Sequence, residues 1–116
     1  MDLINNLKSL GVDTDEALNR FMNNSSLYIR MLGKFTANAQ SLEILPFIED
    51  GDIDTAKENA HTLKGVTGNL SLTPLYNAYT EIMNCLRSDD IETATAILEK
   101  ILPVQEQIID CIEKNK

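Results

Sequence analysis

The chain has 116 residues, 43% hydrophobic and 24% charged, enough for one ordinary domain with its own core and too few for two. Its net charge of −8, with ten dispersed basic residues, argues against a nucleic-acid partner, because neutralising phosphates needs clustered Lys and Arg. No apolar run approaches the roughly 18–20 residues of a membrane span, and "MDLINNLKSL" lacks the basic and apolar regions of a signal peptide, so no membrane association and a cytoplasmic location are expected.

The elements follow from sparse punctuation. A first short helix is expected over about residues 2–9 and a second over about 14–22, after a turn at Gly11, with Asp13 or Thr14 as N-cap. A break at Asn23–Ser25, with Asn24 or Ser25 capping, opens a third segment over about 25–49. "EDGDIDTAKENA" is a turn at Gly51 and a cap at Asp52, which start a segment over about 53–70. "SLTPLYNAY" places Thr73 at the N-cap and Pro74 at the first helical position, where its missing N–H costs nothing. "RSDDIETATAIL" makes Asp89 or Asp90 the cap of a last segment over about 91–114. Pro46 and Pro103 predict kinks or local breaks in the segments that hold them. No stretch alternates apolar and polar residues over a strand's length. Short connections force antiparallel neighbours. The expected fold is therefore all-α: one domain over 1–116, with short capping helices over 1–22 and an antiparallel up-down four-helix bundle over 25–114.

The segment over 53–70 holds the only histidine and two of the five glycines. Ile53, Ala56, Ala60, Leu63, Thr67 and Leu70 recur at steps of three and four, a core-facing stripe. Lys57, His61, Lys64, Gly65 and Gly68 form a second stripe away from it, so His61 is predicted to be at least partly exposed at mid-helix. Each glycine costs about 1 kcal/mol against alanine in a helix interior. Two of them beside a histidine clear the surface for a macromolecule, and Lys64 can neutralise an anion carried on His61. Together these describe a nucleophile that accepts a phosphoryl group from a bulky donor. The bland alternative is an ordinary surface histidine with Gly68 as a C-cap, and the pattern alone leaves the two level.

Other constellations carry less. Cys85 and Cys111 are expected at opposite ends of successive antiparallel helices, an offset on the order of 25 Å, so they read as two reduced, part-buried thiols. One histidine and two distant cysteines do not make a metal site. The acids around Gly51 and at Asp89–Asp90 read as helix N-terminal dipole compensation.

"AHTLKGVTGNL", Ala60 to Leu70, resembles the signature of the histidine-containing phosphotransfer (HPt) domain of bacterial multistep phosphorelays. His61, Leu63, Lys64, Gly65, Gly68, Asn69 and Leu70 carry the match, and "GVDTDEALNRF…YIRMLGKF" is similar to the family's N-terminal portion. The resemblance implies a four-helix bundle with short N-terminal helices. It implies His61 as the phosphoacceptor, Lys64 as the residue supporting the phosphoryl group, and Gly65 and Gly68 as the small positions on which a receiver docks; Lys57, on the same helix stripe, is expected on that docking surface. Ser71 departs from it, standing where the family usually has glycine. A left-handed C-cap there carries a steric penalty, so the turn is expected to differ locally.

The implied reaction is reversible transfer between a receiver domain's aspartyl phosphate and Nε2 of His61. The imidazole must be neutral to attack, and an exposed imidazole has a reference pKa of about 6.5. No cofactor is expected on this chain; the receiver supplies the aspartate and the Mg²⁺. Without an ATP-binding loop the chain is expected to be a phosphohistidine carrier, not a kinase. The expected partners are response-regulator receiver domains and a hybrid sensor histidine kinase, met by a monomer. The initial Met and lack of a linker favour a stand-alone relay intermediate. The alternatives are a domain excised from a hybrid or chemotaxis-type kinase, and a helical interaction or inhibitor module that binds a signalling partner without phosphotransfer.

Overall fold

The computed structural model describes residues 3–114. Among them the chain forms seven helices and no strand: α1 (Leu3–Ser9), α2 (Thr14–Arg20), α3 (Ser25–Ser41), α4 (Leu45–Glu49), α5 (Ile53–Asn69), α6 (Thr73–Arg87) and α7 (Ile91–Lys114). The expected start at residue 2 lies outside the described residues.

Four starts are made by a side chain that accepts from an otherwise unpaired N–H of the first turn. Asp13 accepts from Glu16 N, Asn24 from Leu27 N, Asp52 from Thr55 N and Asp90 from Thr93 N. The start of α6 differs from expectation. Thr73 is its first helical residue, and the N-cap is Leu72, which makes no side-chain cap bond. Leu72 is fully buried, so core packing fixes this end instead.

Five helix ends share one device. The N–H of the residue after the cap bonds three positions back and the next N–H five back, around a residue with positive φ. Gly11 and Gly51 supply that residue after α1 and α4, but Met22, Ser71 and Asp89 supply it after α2, α5 and α6. Positive φ at Met22 and Asn23 also ends α2 at Arg20, two residues before the expected end.

The expected 25–49 segment is two helices, α3 and α4, separated at 42–44. Pro46 explains the break: inside a continuing helix it would lose the bond to Leu42 O and crowd that carbonyl, whereas in the first turn of α4 it needs no N–H. Pro103 does the opposite of a break, since α7 runs through it unbroken. Pro103 and Glu99 are both exposed residues, so the bond that Pro103 cannot make is lost on the solvent side of the helix.

The core joins all the long helices. Tyr28, Leu32 and Phe35 of α3 meet Ala56, Ala60 and Leu63 of α5, Leu75, Tyr79 and Ile82 of α6, and Leu98, Ile108 and Ile112 of α7. Small residues at 56 and 60 let backbones approach closely. The buried Tyr79 hydroxyl donates to the Gln105 amide oxygen, tying α6 to α7. α5 packs mainly against α6, and α6 against α7. Cys85 and Cys111 are part-buried and not bonded to each other. No helix among the described residues is long and apolar enough to cross a membrane.

Candidate functional site

α5 is anchored by its inner stripe. Ala56, Ala60, Leu63 and Thr67 are buried and Leu70 follows just beyond the helix, while Ile53 is only partly covered. The Thr67 hydroxyl satisfies itself on the Leu63 and Lys64 carbonyls, at 2.7 and 3.1 Å. With this stripe inward, His61 is exposed on the opposite side. Among the described residues nothing hydrogen-bonds its ring, so both nitrogens are open to a visitor.

His61 opens onto a groove of about 650 Å³, whose α5 wall is Lys64, Gly65, Gly68 and Asn69. Thr73, Tyr76 and Asn77 of α6 form the facing wall, and Asp13, Glu16 and Arg20 close the end next to α2. Lys57, one turn before His61, does not line this groove, although it lies on the same helix stripe. Neither Lys57 nor Lys64 is ion-paired among the described residues, where the bridges are Lys8–Asp15, Arg20–Glu16 and Lys114–Asp110. Both ammonium groups are therefore available to an incoming anion.

The two glycines are not equivalent. A Cβ at Gly65 would meet nothing within 4 Å, so its helix surface is bare to the groove. A Cβ at Gly68 would lie 3.0 Å from two ring carbons of Tyr76. The space cleared at Gly68 is thus already filled by the protein's own aromatic ring.

The far end of α5 is tied down by α2. Arg20 Nη1 donates to the Gly68 and Asn69 carbonyls at 3.0 and 2.9 Å and to Ser71 Oγ at 3.0 Å, while Nη2 reaches Glu16 Oε1 at 3.3 Å. The Ser71 hydroxyl donates to Glu16 Oε1 at 2.7 Å. The Tyr28 hydroxyl donates to the Leu70 carbonyl at 2.8 Å, and Asp13 N to the Ser71 carbonyl at 3.1 Å. Every carbonyl that the ending helix leaves open is therefore answered, and a cation rests on the negative end of its dipole. The Ser71 hydroxyl, aided by Arg20, holds the Glu16 carboxyl below the usual glutamate range.

Ser71 corrects the expectation of a different turn. Its φ is 54°, the left-handed geometry that glycine favours. The backbone cost of roughly 1 kcal/mol is offset by the hydroxyl's place between Glu16 and Arg20. The groove residues missed in sequence reasoning are Asp13, Glu16, Arg20, Ser71 as a groove member, Thr73, Tyr76 and Asn77. Tyr76 left a trace, since a large aromatic directly after core Leu75 falls off the stripe Leu75–Tyr79–Ile82–Leu86. The Glu16–Arg20 spacing, four residues on one helix, also marked a possible pair.

All-helical among its described residues, the chain presents one exposed histidine beside an unpaired lysine on an open groove. Over residues 16–114 the chain matches the model of the Hpt domain family, and it belongs to that family. The family serves histidine phosphotransfer in two-component phosphorelays. No curated protein and no solved structure shows significant similarity to the chain.

Proposed function

We propose that this chain is a phosphorelay intermediate that accepts a phosphoryl group on His61 from the aspartyl phosphate of one receiver domain and passes it to another. The observation that carries this reading is the exposed, unbonded His61 ring beside the bare Gly65 surface and the unpaired Lys64. In the forward step the neutral Nε2 lone pair attacks phosphorus. The new N–P bond forms as the P–O bond to the aspartate breaks, and the carboxylate leaves with the electron pair. The reverse step regenerates the aspartyl phosphate on the second receiver. Lys64 offsets charge on the equatorial oxygens, while the receiver brings the Mg²⁺ and the in-line geometry. Lys57 stands one turn back on the same stripe and steers the acidic receiver site by its charge.

This is a carrier's role, with no ATP chemistry of its own. The residues 1–116 act as a single domain whose four long helices form an antiparallel up-down bundle. Support for that topology comes from the short connections and from the packing of α5 on α6 and α6 on α7. It is proposed to work as a monomer. Its proposed location is the cytoplasm, where receivers and the kinase domain of a hybrid sensor meet it.

The test is incubation with receiver domains of the same organism, each phosphorylated by acetyl phosphate. Acid-labile label on the chain from at least one receiver is the expected result. Absence of label with every receiver overturns the reading. Survival of partner signalling in His61→Gln would favour an interaction module without phosphotransfer.

A further inference from the structure

The break between α3 and α4 has a consequence on the side of the molecule that faces α7. Where the end of α3 and the start of α4 meet α7, a recess of about 350 Å³ opens. Its apolar wall is made by Ala39, Ile44, Leu45, Leu98, Leu102 and Ile109. That volume is at the low end of the roughly 300–1,000 Å³ typical of small-molecule sites. The linker beside it is held in place, since Asn59 Nδ2 donates to the Glu43 carbonyl at 2.6 Å. The recess shares no lining residue with the groove at His61.

One polar pair interrupts the apolar wall. Tyr79 and Gln105 both line the recess, at 1% and 5% exposure, and the Tyr79 hydroxyl donates to the Gln105 amide oxygen. That bond uses the oxygen alone. Gln105 Nε2 has no hydrogen-bond partner among the described residues. Among those residues the only fully enclosed side-chain atom without a partner is Thr14 Oγ1, so Gln105 Nε2 keeps an opening, and the space beside it is the recess. A buried amide whose N–H donors are free calls for an acceptor, because an unmet donor in an apolar setting is costly.

Charge at the mouth narrows the choice. Gln40, Glu43 and Glu106 are exposed at the rim, and no lining residue is basic. Neither carboxylate is ion-paired among the described residues. An anionic ligand would meet two like charges and no counter-ion. A neutral carbonyl oxygen satisfies the amide without that repulsion.

We infer that this recess is a binding site for a small, uncharged, mainly apolar carbonyl compound. Its oxygen accepts from Gln105 Nε2, and its hydrocarbon body lies against Leu98, Leu102 and Ile109. The site is separate from the phosphoryl chemistry and does not depend on the phosphorelay reading.

The test is a titration of the full chain with 2-octanone, followed by ¹H–¹⁵N NMR, with octanoate in parallel at neutral pH. Saturable shifts of the Gln105 side-chain amide and of the backbone amides at Leu98, Leu102 and Ile109 are expected with the ketone, and octanoate is expected to bind at least about tenfold more weakly. Gln105→Met, read at the backbone amides, is expected to weaken ketone binding about fivefold, the loss of one neutral hydrogen bond. That variant leaves the Tyr79 hydroxyl without its acceptor. Should it lose its cooperative melt, Tyr79→Phe/Gln105→Met, which removes both partners, gives the reading. Absence of saturable shifts at Gln105 overturns the inference. So does octanoate binding as tightly as the ketone, or a folded variant without the amide that binds the ketone as the parent chain does.

Discussion

Gly65 and Gly68 stand three residues apart on one helix, and their missing side chains serve different neighbours. At Gly65 the space is open, so Gly65→Ala is expected to raise stability by up to about 1 kcal/mol while slowing transfer from a phosphorylated receiver; a thermal melt beside a transfer assay checks both. At Gly68 the added methyl meets the Tyr76 ring, so the propensity gain is expected to be smaller or absent in the same melt. The stripe Lys57, His61, Lys64, Gly65, Gly68 was legible from helical spacing, because 3.6 residues per turn fixes which side chains share a face. What filled each gap was not legible: the occupant of Gly68's space comes from α6, and only packing brings Tyr76 there. Ser71 is the converse case. Its identity signalled a steric problem, but the relief comes from Glu16 and Arg20, 55 and 51 positions away in sequence.

Helix ends decide how the elements are joined. Met22, Ser71 and Asp89 hold positive φ where glycine would be unstrained. Asp89→Gly, at an exposed turn, is expected to stabilise the fold by about 0.5–1 kcal/mol, measured by urea midpoint. Ser71→Gly is expected to gain far less, because the hydroxyl linking Glu16 and Arg20 goes with the strain. That tie also sets an acid limb. Glu16's carboxyl titrates below its ordinary value of 4.5 in the folded chain, so the unfolded chain binds its proton first as pH falls. The stabilisation is present above about pH 4.5 and is lost as pH drops through the lower folded value. Melting temperature followed from pH 6 to pH 3 is expected to fall less steeply in Glu16→Gln than in the parent chain; parallel curves would contradict the assignment. Most caps were readable because Asp or Asn precedes a helical run, as at Asp13, Asn24, Asp52 and Asp90. The cap of α6 was misplaced at Thr73 because burial of Leu72 overrode the local preference for a hydroxyl, and Pro46 divided a segment that periodicity alone joined.

Across the molecule, the N-terminal helices do more than cover one end of a bundle. α2 closes one end of the histidine groove and, through Arg20, clamps the end of the helix that bears His61. Arg20→Ala is expected to destabilise the fold by about 1–2 kcal/mol, a moderate loss because the guanidinium is partly exposed; chemical denaturation measures it. The all-α class and the histidine's exposure were readable in the sequence because both follow from local periodicity. The long-range contacts that shape the groove were not, since Arg20–Asn69 and Gly68–Tyr76 depend on how separate helices meet. The whole arrangement converges on one exposed imidazole. The most direct test is to locate the phosphoryl group by ³¹P NMR and tandem mass spectrometry after incubation with a phosphorylated receiver. The account predicts a single phosphoramidate on His61 Nε2, absent in His61→Gln. A phosphoryl group on any other residue, or undiminished labelling of His61→Gln, would contradict it.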